Sequence, residues 1–544
     1  MNQKLKYPSI YLYLLPLIGG MLYALGFPTK SGFYFFLFPI LGMILFLNAI
    51  PLSYGGVQDH KSFQQSNWKR EVLSVLSFSL GYYIVGYYWI PYTLKEFGFI
   101  PFPFNILLGL LFSLVILPQH LAFALFYRLL RKLNFKRSQW HGGVTSRNIA
   151  LALMLTILEY FIPQQFPAHL GHPWLQLKQY IGLAPIFGAP IFSFISYWFA
   201  LSFISKLKAN KFDYIGISTF IIFLIINISF PIKSLNSDES FRVKIVQANV
   251  GNFVKIQSEN GVAGAMRDVL LRYEELSLED KEGVDLIIWP ETAFPQLLNS
   301  TLLKANKAYI PTSFRQTLSK TGSDLISGGY NSSSNRNKSF FETEYNTAFF
   351  FKADGHLEDH YHKRILIPFG ERLPFGPLNK FLAKYVDNIS YFAKGQDYSL
   401  FKLSKNTTAS LAICYEVLFS SYIKDYLNHL KRKPNFLINL TNDSWYGDTS
   451  EPHQHQFLTH WRALEFQIPI IRSTNTGISS VLYPDGSESK RLDVGKKGQI
   501  NVDIPIVKRN GTIFETFGIW LTVLTAIILW ILCLIYEKRS FSNK

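Results

Sequence analysis

Apolar residues in this chain are gathered into blocks. Seven fill the first 235 or so residues, near Ile10–Phe27, Gly32–Ile50, Val72–Ile90, Phe104–Phe126, Ile149–Ile162, Tyr180–Ile204 and Tyr214–Phe230. An eighth runs over Phe517–Tyr536. Most approach the ~20 residues with which a helix crosses a bilayer. Aromatic rings gather at block ends, as in YYIVGYYWIPY, where amphipathic side chains suit the membrane interface. After the seventh block the pattern changes. Strand-like runs appear at 242–249, 285–291, 324–330, 346–351, 410–416, 435–441, 468–475 and 479–484, with helical patterns at 263–278, 417–429 and 454–467. Some neighbouring runs have no helix between them, which predicts a mixed sheet. The pattern therefore predicts a polytopic α-helical membrane region of about eight transmembrane helices, with seven in 1–235 and the eighth at 517–536. Between them lies an α/β domain at 241–511.

Charge changes the picture by its placement. The chain carries 54 Lys+Arg against 37 Asp+Glu, a formal +17 that would suit nucleic acid if it formed one patch. It is distributed by loops instead. Lys4 and Lys6 precede the first block, and Lys61, Lys69 and Arg70 follow the second. Arg128, Arg131, Lys132, Lys136, Arg137 and Arg147 follow the fourth, and Lys206, Lys208 and Lys211 the sixth. Lys538, Arg539 and Lys544 end the chain, while the intervening loops hold only Lys30, Lys95 and Lys178. This alternation predicts cytoplasmic termini, an extracytoplasmic α/β domain and no nucleic-acid partner. The first block lacks a cleavage site, so no cleavable leader is expected. Two cysteines make no disulfide framework, and Cys533, inside the eighth block, reads as packing or lipid-facing sulfur.

Three strand ends carry candidate chemistry. In IIWPETAFP, Glu291 stands just past an apolar strand, after Pro290, where a carboxylate can point into a cleft. In YHKRILIPFGERLPF, Lys363 lies among apolar and aromatic neighbours, and Pro368 and Gly370 make a turn that would bring Glu371 back to pair with it. In LAICYEVLF, Cys414 ends a strand and precedes Tyr415 and Glu416. A thiol becomes a strong nucleophile once a base takes its proton or a cation steadies its charge; Glu291 and Lys363 are the candidates for those two tasks. The N–H following Cys414, with Lys363, would then hold an oxyanion.

WPETAFP, YHKRILIPFGERLPF and ICYEVLF, in that order, resemble the Glu–Lys–Cys motifs of the nitrilase (carbon–nitrogen hydrolase) superfamily. Joined to a membrane half, they resemble the apolipoprotein N-acyltransferase family. RVKIVQANV, LTNDSWYG, EPHQHQFLTHWRALEFQIPIIRSTNTGISSV and the outer-loop GHPWLQL extend the likeness over essentially the whole chain. The resemblance implies an αββα sandwich and a bacterial inner-membrane enzyme. Its reaction would move an acyl chain from the sn-1 position of a phospholipid, through a cysteine thioester, to the α-amine of an S-diacylglyceryl-cysteine apolipoprotein. It implies Cys414 as nucleophile, Glu291 as general base, Lys363 as oxyanion stabiliser and Glu371 as positioning residue. Tyr415 and Glu416 would shape the pocket, and Asn346 and Trp174 would stand near the pocket or lipid entrance. No cofactor or metal is implied, and a monomer is the simplest expectation. The chain departs from the family in NFVKIQS, where Ile256 stands in place of a mobile-loop Trp and Phe253 is the candidate substitute.

Other features have plainer readings. His453, His455 and His460 lack carboxylate or cysteine partners at ligand spacing, so no zinc site is expected. Asn442, Asp443 and Trp445 read as pocket braces, and Glu159, inside the fifth block, as a packed group facing protein. Two rival functions stay open at this level. A membrane-tethered amidase or nitrilase would use the same trio on a soluble amide with water as acceptor. A non-catalytic scaffold or transporter would not need Cys414.

Overall fold

The computed structural model describes residues 11–52, 68–135, 143–332, 344–382, 384 and 389–542. Lys4, Lys6, Lys61, Lys136, Arg137 and Lys544, and most of the polar stretch 331–339, lie outside the described residues. The chain forms two compact units. One comprises Met1–Pro91, Pro103–Ile232 and Phe517–Lys544; the other comprises Tyr92–Phe102 and Lys233–Thr516.

The first unit is helical. Among the described residues, Val144–Phe161, Ala189–Ala209 and Ile519–Ser540 are long and apolar enough to cross a membrane. Two bent pairs, Trp68–Gly86 with Ile90–Glu96 and Phe104–Ser113 with Pro118–Lys132, bring the number to five if each is one span. Tyr13–Ala24, Phe38–Ala49 and Tyr214–Ser229 are apolar but shorter. At 1.5 Å per residue, helices of this length fall short of a ~30 Å hydrocarbon core. Of the eight expected spans, three to five are long and apolar enough to cross among the described residues. Glycines pack the helices closely: a Cβ on Gly20 would strike the Phe78 carbonyl, and one on Gly81 the Leu17 carbonyl. Glu159 is buried as expected of a packed group, its Oε1 accepting from the Leu170 N–H at 2.7 Å and the Tyr197 hydroxyl at 3.0 Å.

The second unit has two sheets. Its strands are β1 (Ser240–Gln247), β2 (Leu286–Trp289), β3 (Leu297–Leu298), β4 (Asp324–Ser332), β5 (Glu344–Phe351) and β6 (Leu357–His362). They continue with β7 (Phe401–Lys402), β8 (Thr408–Ile413), β9 (Phe436–Thr441), β10 (Ile470–Thr474), β11 (Ser480–Leu482) and β12 (Gly498–Pro505). The first sheet runs β12-β1-β2-β4-β5-β6, with β3 beside β4; the second runs β11-β10-β9-β8-β7. Both are mixed, with β1, β2 and β4 parallel in one and β8, β9 and β10 parallel in the other.

Near-continuous apolar runs explain strands buried on both faces. Between the sheets, the Phe241 and Phe436 rings lie 5.5 Å apart and the Phe350 and Phe401 rings 5.3 Å apart. On the outer face of the first sheet, Tyr273 and Leu276 of helix Ala263–Leu278 and Phe314 of helix Thr312–Thr321 pack on Trp289 and Phe349. On the second, Ile423 and Leu427 of Ser420–His429 and Phe466 of Glu451–Phe466 pack on Leu437 and Ile470. The layers are α, β, β, α.

Candidate active site

Glu291, Lys363 and Cys414 each follow the last residue or turn of a strand. Glu291 comes after β2 and Pro290, which has no N–H to continue the ladder. The next residue, Thr292, has φ +50°. Gly328 of β4 lies directly against this turn: a Cβ there would collide with the Pro290 carbonyl, the Thr292 nitrogen and the Glu291 Cα. Lys363 follows β6, its N–H donating to the Asn346 carbonyl of β5 at 2.9 Å and its carbonyl accepting from the Gly395 N–H at 2.8 Å. Cys414 follows β8 at φ +51° and opens the 3₁₀ turn Cys414–Leu418. Holding a non-glycine residue there costs about 1–3 kcal/mol, and the surrounding packing must impose it.

The charges interlock. Lys363 Nζ is fully buried and donates to Glu291 Oε1 at 3.1 Å and Glu371 Oε1 at 2.9 Å. Asn346 Nδ2 donates to the same two oxygens, at 2.8 and 3.1 Å. The remaining carboxylate oxygens are also held: Glu291 Oε2 by the Asn442 N–H and Glu371 Oε2 by the Ile367 N–H, both at 2.9 Å. Burial opposes the charge on Lys363, but Glu291 and Glu371 outweigh it and keep the amine's pKa well above its ordinary value. Lys363 is thus a fixed cation. The Cys414 thiol is pushed up by burial and by the Glu291 charge, and Lys363 only partly offsets them. A thiol so placed is protonated at neutral pH, so it needs a base.

A second set of groups holds this one. Glu416 Oε1 accepts from the backbone N–H of Arg364 at 2.6 Å and of Ile365 at 3.0 Å, and Oε2 from that of Ile413 at 2.7 Å. The Tyr361 hydroxyl donates to both oxygens, at 3.0 and 2.9 Å. Glu416 therefore ties the residues after Lys363 to the residue before Cys414. Burial raises its pKa, against those backbone N–H groups. Tyr415 is buried with its ring 4.8 Å from Phe419. Behind them, fully buried Arg472 donates to Asp443 Oδ2 at 2.9 Å and to Asn439 Oδ1 at 2.7 Å. Asn439 Nδ2 in turn donates to the Ala412 carbonyl at 3.0 Å. Sequence reasoning missed Arg472, Asn439, Tyr361 and Gly328; only the double glycine in DLISGGY signalled a close backbone approach.

The expected residues thus divide. Glu291, Asn346, Lys363 and Glu371 form one hydrogen-bonded cluster whose charges act on Cys414, with Glu416 bracing the backbone on either side. Asn442 and Asp443 brace as expected, and Trp445 packs edge-on against Phe97, 4.6 Å between ring centres. Trp174 stands in the helical unit, where its Nε1 donates to Ser196 Oγ at 3.0 Å and its ring meets Phe36, Phe192, Phe220 and Phe223. Ile256 and Phe253 lie on a helix, Asn252–Glu259, that the sequence did not announce. Lys255 of that helix hydrogen-bonds Thr292, beside Glu291, while Phe253 is 73% exposed.

The reading that no carboxylate accompanies the histidines is corrected: ligand atoms of Asp443, Glu451 and His455 lie within 4.8 Å of one another, brought together by folding and by the i, i+4 spacing of Glu451 and His455. The Arg472 guanidinium already supplies positive charge to Asp443, which disfavours a cation there.

A family model described as carbon–nitrogen hydrolase matches residues 242–510, and one described as apolipoprotein N-acyltransferase N-terminal domain matches residues 19–202. An apolipoprotein N-acyltransferase of Bdellovibrio bacteriovorus is 30% identical over 468 residues, covering 82% of each chain. One of Haemophilus ducreyi is 27% identical over 474 residues, covering 83% of this chain and 86% of its own. A solved CN-hydrolase superfamily protein from Xanthomonas campestris matches 49% of this chain and 91% of its own, at 16% identity and a TM-score of 0.33.

Proposed function

Because the chain belongs to the apolipoprotein N-acyltransferase family, we propose that it moves an acyl chain from a phospholipid to a lipoprotein by a two-step reaction at Cys414. The observation that supports this most is the buried Lys363 shared by Glu291 and Glu371, whose charges act on the Cys414 thiol. Glu291 takes the Cys414 proton, and the thiolate attacks the sn-1 ester carbonyl. Lys363 and the N–H of Tyr415 hold the oxyanion. On collapse the glycerol oxygen leaves with the proton from Glu291, giving a lysophospholipid and an acyl thioester. The α-amine of an S-diacylglyceryl cysteine then attacks the thioester. Its proton passes through Glu291 to the departing sulfur, and the amide forms.

The remaining residues position these groups. Glu371 and Asn346 fix Lys363 and Glu291, while Glu416 fixes the two backbones. Tyr415, Phe253 and Ile256 line the path of the acyl chain, and Trp174 stands near the lipid entrance. In this reading 1–235 and 517–536 are a membrane domain of eight crossings, some short, with both termini cytoplasmic. The catalytic domain, 241–511, faces the periplasm of a bacterial inner membrane, and the protein acts as a monomer. Both substrates are lipid-anchored, so holding the domain at the bilayer by spans on either side confines the search to two dimensions.

The test is transfer from a diacyl phospholipid to a diacylated lipopeptide by purified protein. One lysophospholipid should appear per N-acylated peptide, and Cys414→Ala should abolish both. Product formation by Cys414→Ala would contradict the reading.

A further inference from the structure

A cavity of about 1010 Å³ opens in the second unit, away from the cluster just described. It is lined by Glu239 and Ser240 at the start of β1, Lys405 and Asn406 just before β8, Arg432, Lys433 and Asn435 before β9, and Ile506, Lys508 and Arg509 after β12. These are the ends of β1, β8 and β9 opposite to the one that carries Cys414. The six residues of β8 separate them by about 20 Å at ~3.3 Å per residue.

The lining is basic beyond its own needs. Five cations, Lys405, Arg432, Lys433, Lys508 and Arg509, face one acid, Glu239. Two further acids pair with them from behind. Asp285 holds Lys405 at 2.7 Å, and Glu515 takes both Lys433 and Arg509. Positive charge is left over, and so are donors. Arg509 is 7% exposed, yet its Nη1 is buried with no hydrogen-bond acceptor among the described residues. A buried guanidinium donor without an acceptor is costly, and an anion would satisfy it. Among the described residues Arg432 hydrogen-bonds only Asn406, at 3.3 Å from each terminal nitrogen. Lys508 has no ion pair or hydrogen bond among the described residues.

We propose that this cavity binds the phosphate of an anionic phospholipid headgroup, as a second lipid that does not react. Five cationic side chains around one space suit a phosphodiester, and the surplus charge favours an anionic over a zwitterionic lipid. The lipid source follows from the chain. Glu515, gripped by Lys433 and Arg509, stands four residues before Ile519, where the long apolar helix Ile519–Ser542 begins. The reacting lipid does not supply this phosphate, because its phosphate lies only a few bonds from an ester placed at Cys414.

The test uses the full-length protein in detergent and native mass spectrometry. Short-chain phosphatidylglycerol, phosphatidylcholine of the same chain length and inorganic phosphate serve as separate probes. Arg432→Gln with Lys508→Gln removes two exposed cations without disturbing packing, and an unchanged melting temperature checks the fold. Phosphatidylglycerol should bind more tightly than phosphatidylcholine, and the double variant should lose about tenfold or more of that affinity. Equal binding of phosphatidylglycerol by both proteins would overturn the proposal. Inorganic phosphate binding that the variant loses, with no added affinity for the lipid, would overturn the lipid source and assign the cavity to free phosphate.

Discussion

At the scale of single residues, the site depends on two backbone conformations as much as on its charges. Cys414 and Thr292 both have positive φ, and Gly328 leaves room for the turn that carries Glu291. Gly328→Ala should therefore push Glu291 off Lys363 and Asn346. About a hundredfold loss of the first half-reaction is expected, the scale of a 1 Å misplacement, and single-turnover acylation would measure it. A variant that folds and acylates at the wild-type rate would refute the importance of that contact. Glu291, Lys363 and Cys414 were legible because each stands in an unusual setting, a charged or nucleophilic side chain at the end of an apolar run. Gly328 and Arg472 were not, since what they do depends on a neighbour brought in from another strand.

At the scale of elements, Arg472 on β10 holds Asn439 on β9, and Asn439 holds Ala412 on β8. Arg472 and Asp443 are both fully buried, so Arg472→Met would leave an uncompensated carboxylate and cost about 3–5 kcal/mol. Chemical unfolding of the full-length protein should show the lost midpoint, and acylation should fall with it. Unchanged unfolding would mean that the three strands are aligned by their apolar packing alone. Apolar strands such as β2, β8 and β9 were readable because burial on both faces leaves unbroken hydrophobic runs. β12 was not: its burial alternates with exposed polar residues, and β3 and β7 are only two residues long. Residues 414–416 were read as strand and form a 3₁₀ turn instead, because the positive φ of Cys414 ends β8.

At the scale of the whole molecule, stability should depend on pH through two histidines of the second unit, the half-buried His362 and the buried His455. Burial, aided by His360, lowers the His362 pKa from 6.5 to about 3, and burial with Arg472 lowers that of His455. A histidine depressed in the folded state leaves the unfolded chain binding more protons. Its contribution is complete above about pH 6.5 and is lost as pH falls toward the folded value. The thermal midpoint should drop between about pH 7 and pH 5, and His362→Gln should make that drop shallower. Identical slopes for the two proteins would count against the assignment. The number of spans was the least legible feature at this scale. Hydropathy marks where a chain is apolar, but helices such as Phe38–Ala49 are shorter than their apolar blocks.

The central claim is that Cys414 carries the acyl chain between two substrates. The most direct measurement is the mass of the Cys414 peptide after the purified protein meets a diacyl phospholipid with no amine present. The account predicts an acyl-sized adduct, labile to hydroxylamine and matched by lysophospholipid, that a diacylated lipopeptide then discharges. Protein that is active in transfer yet leaves Cys414 unmodified under these conditions would contradict it.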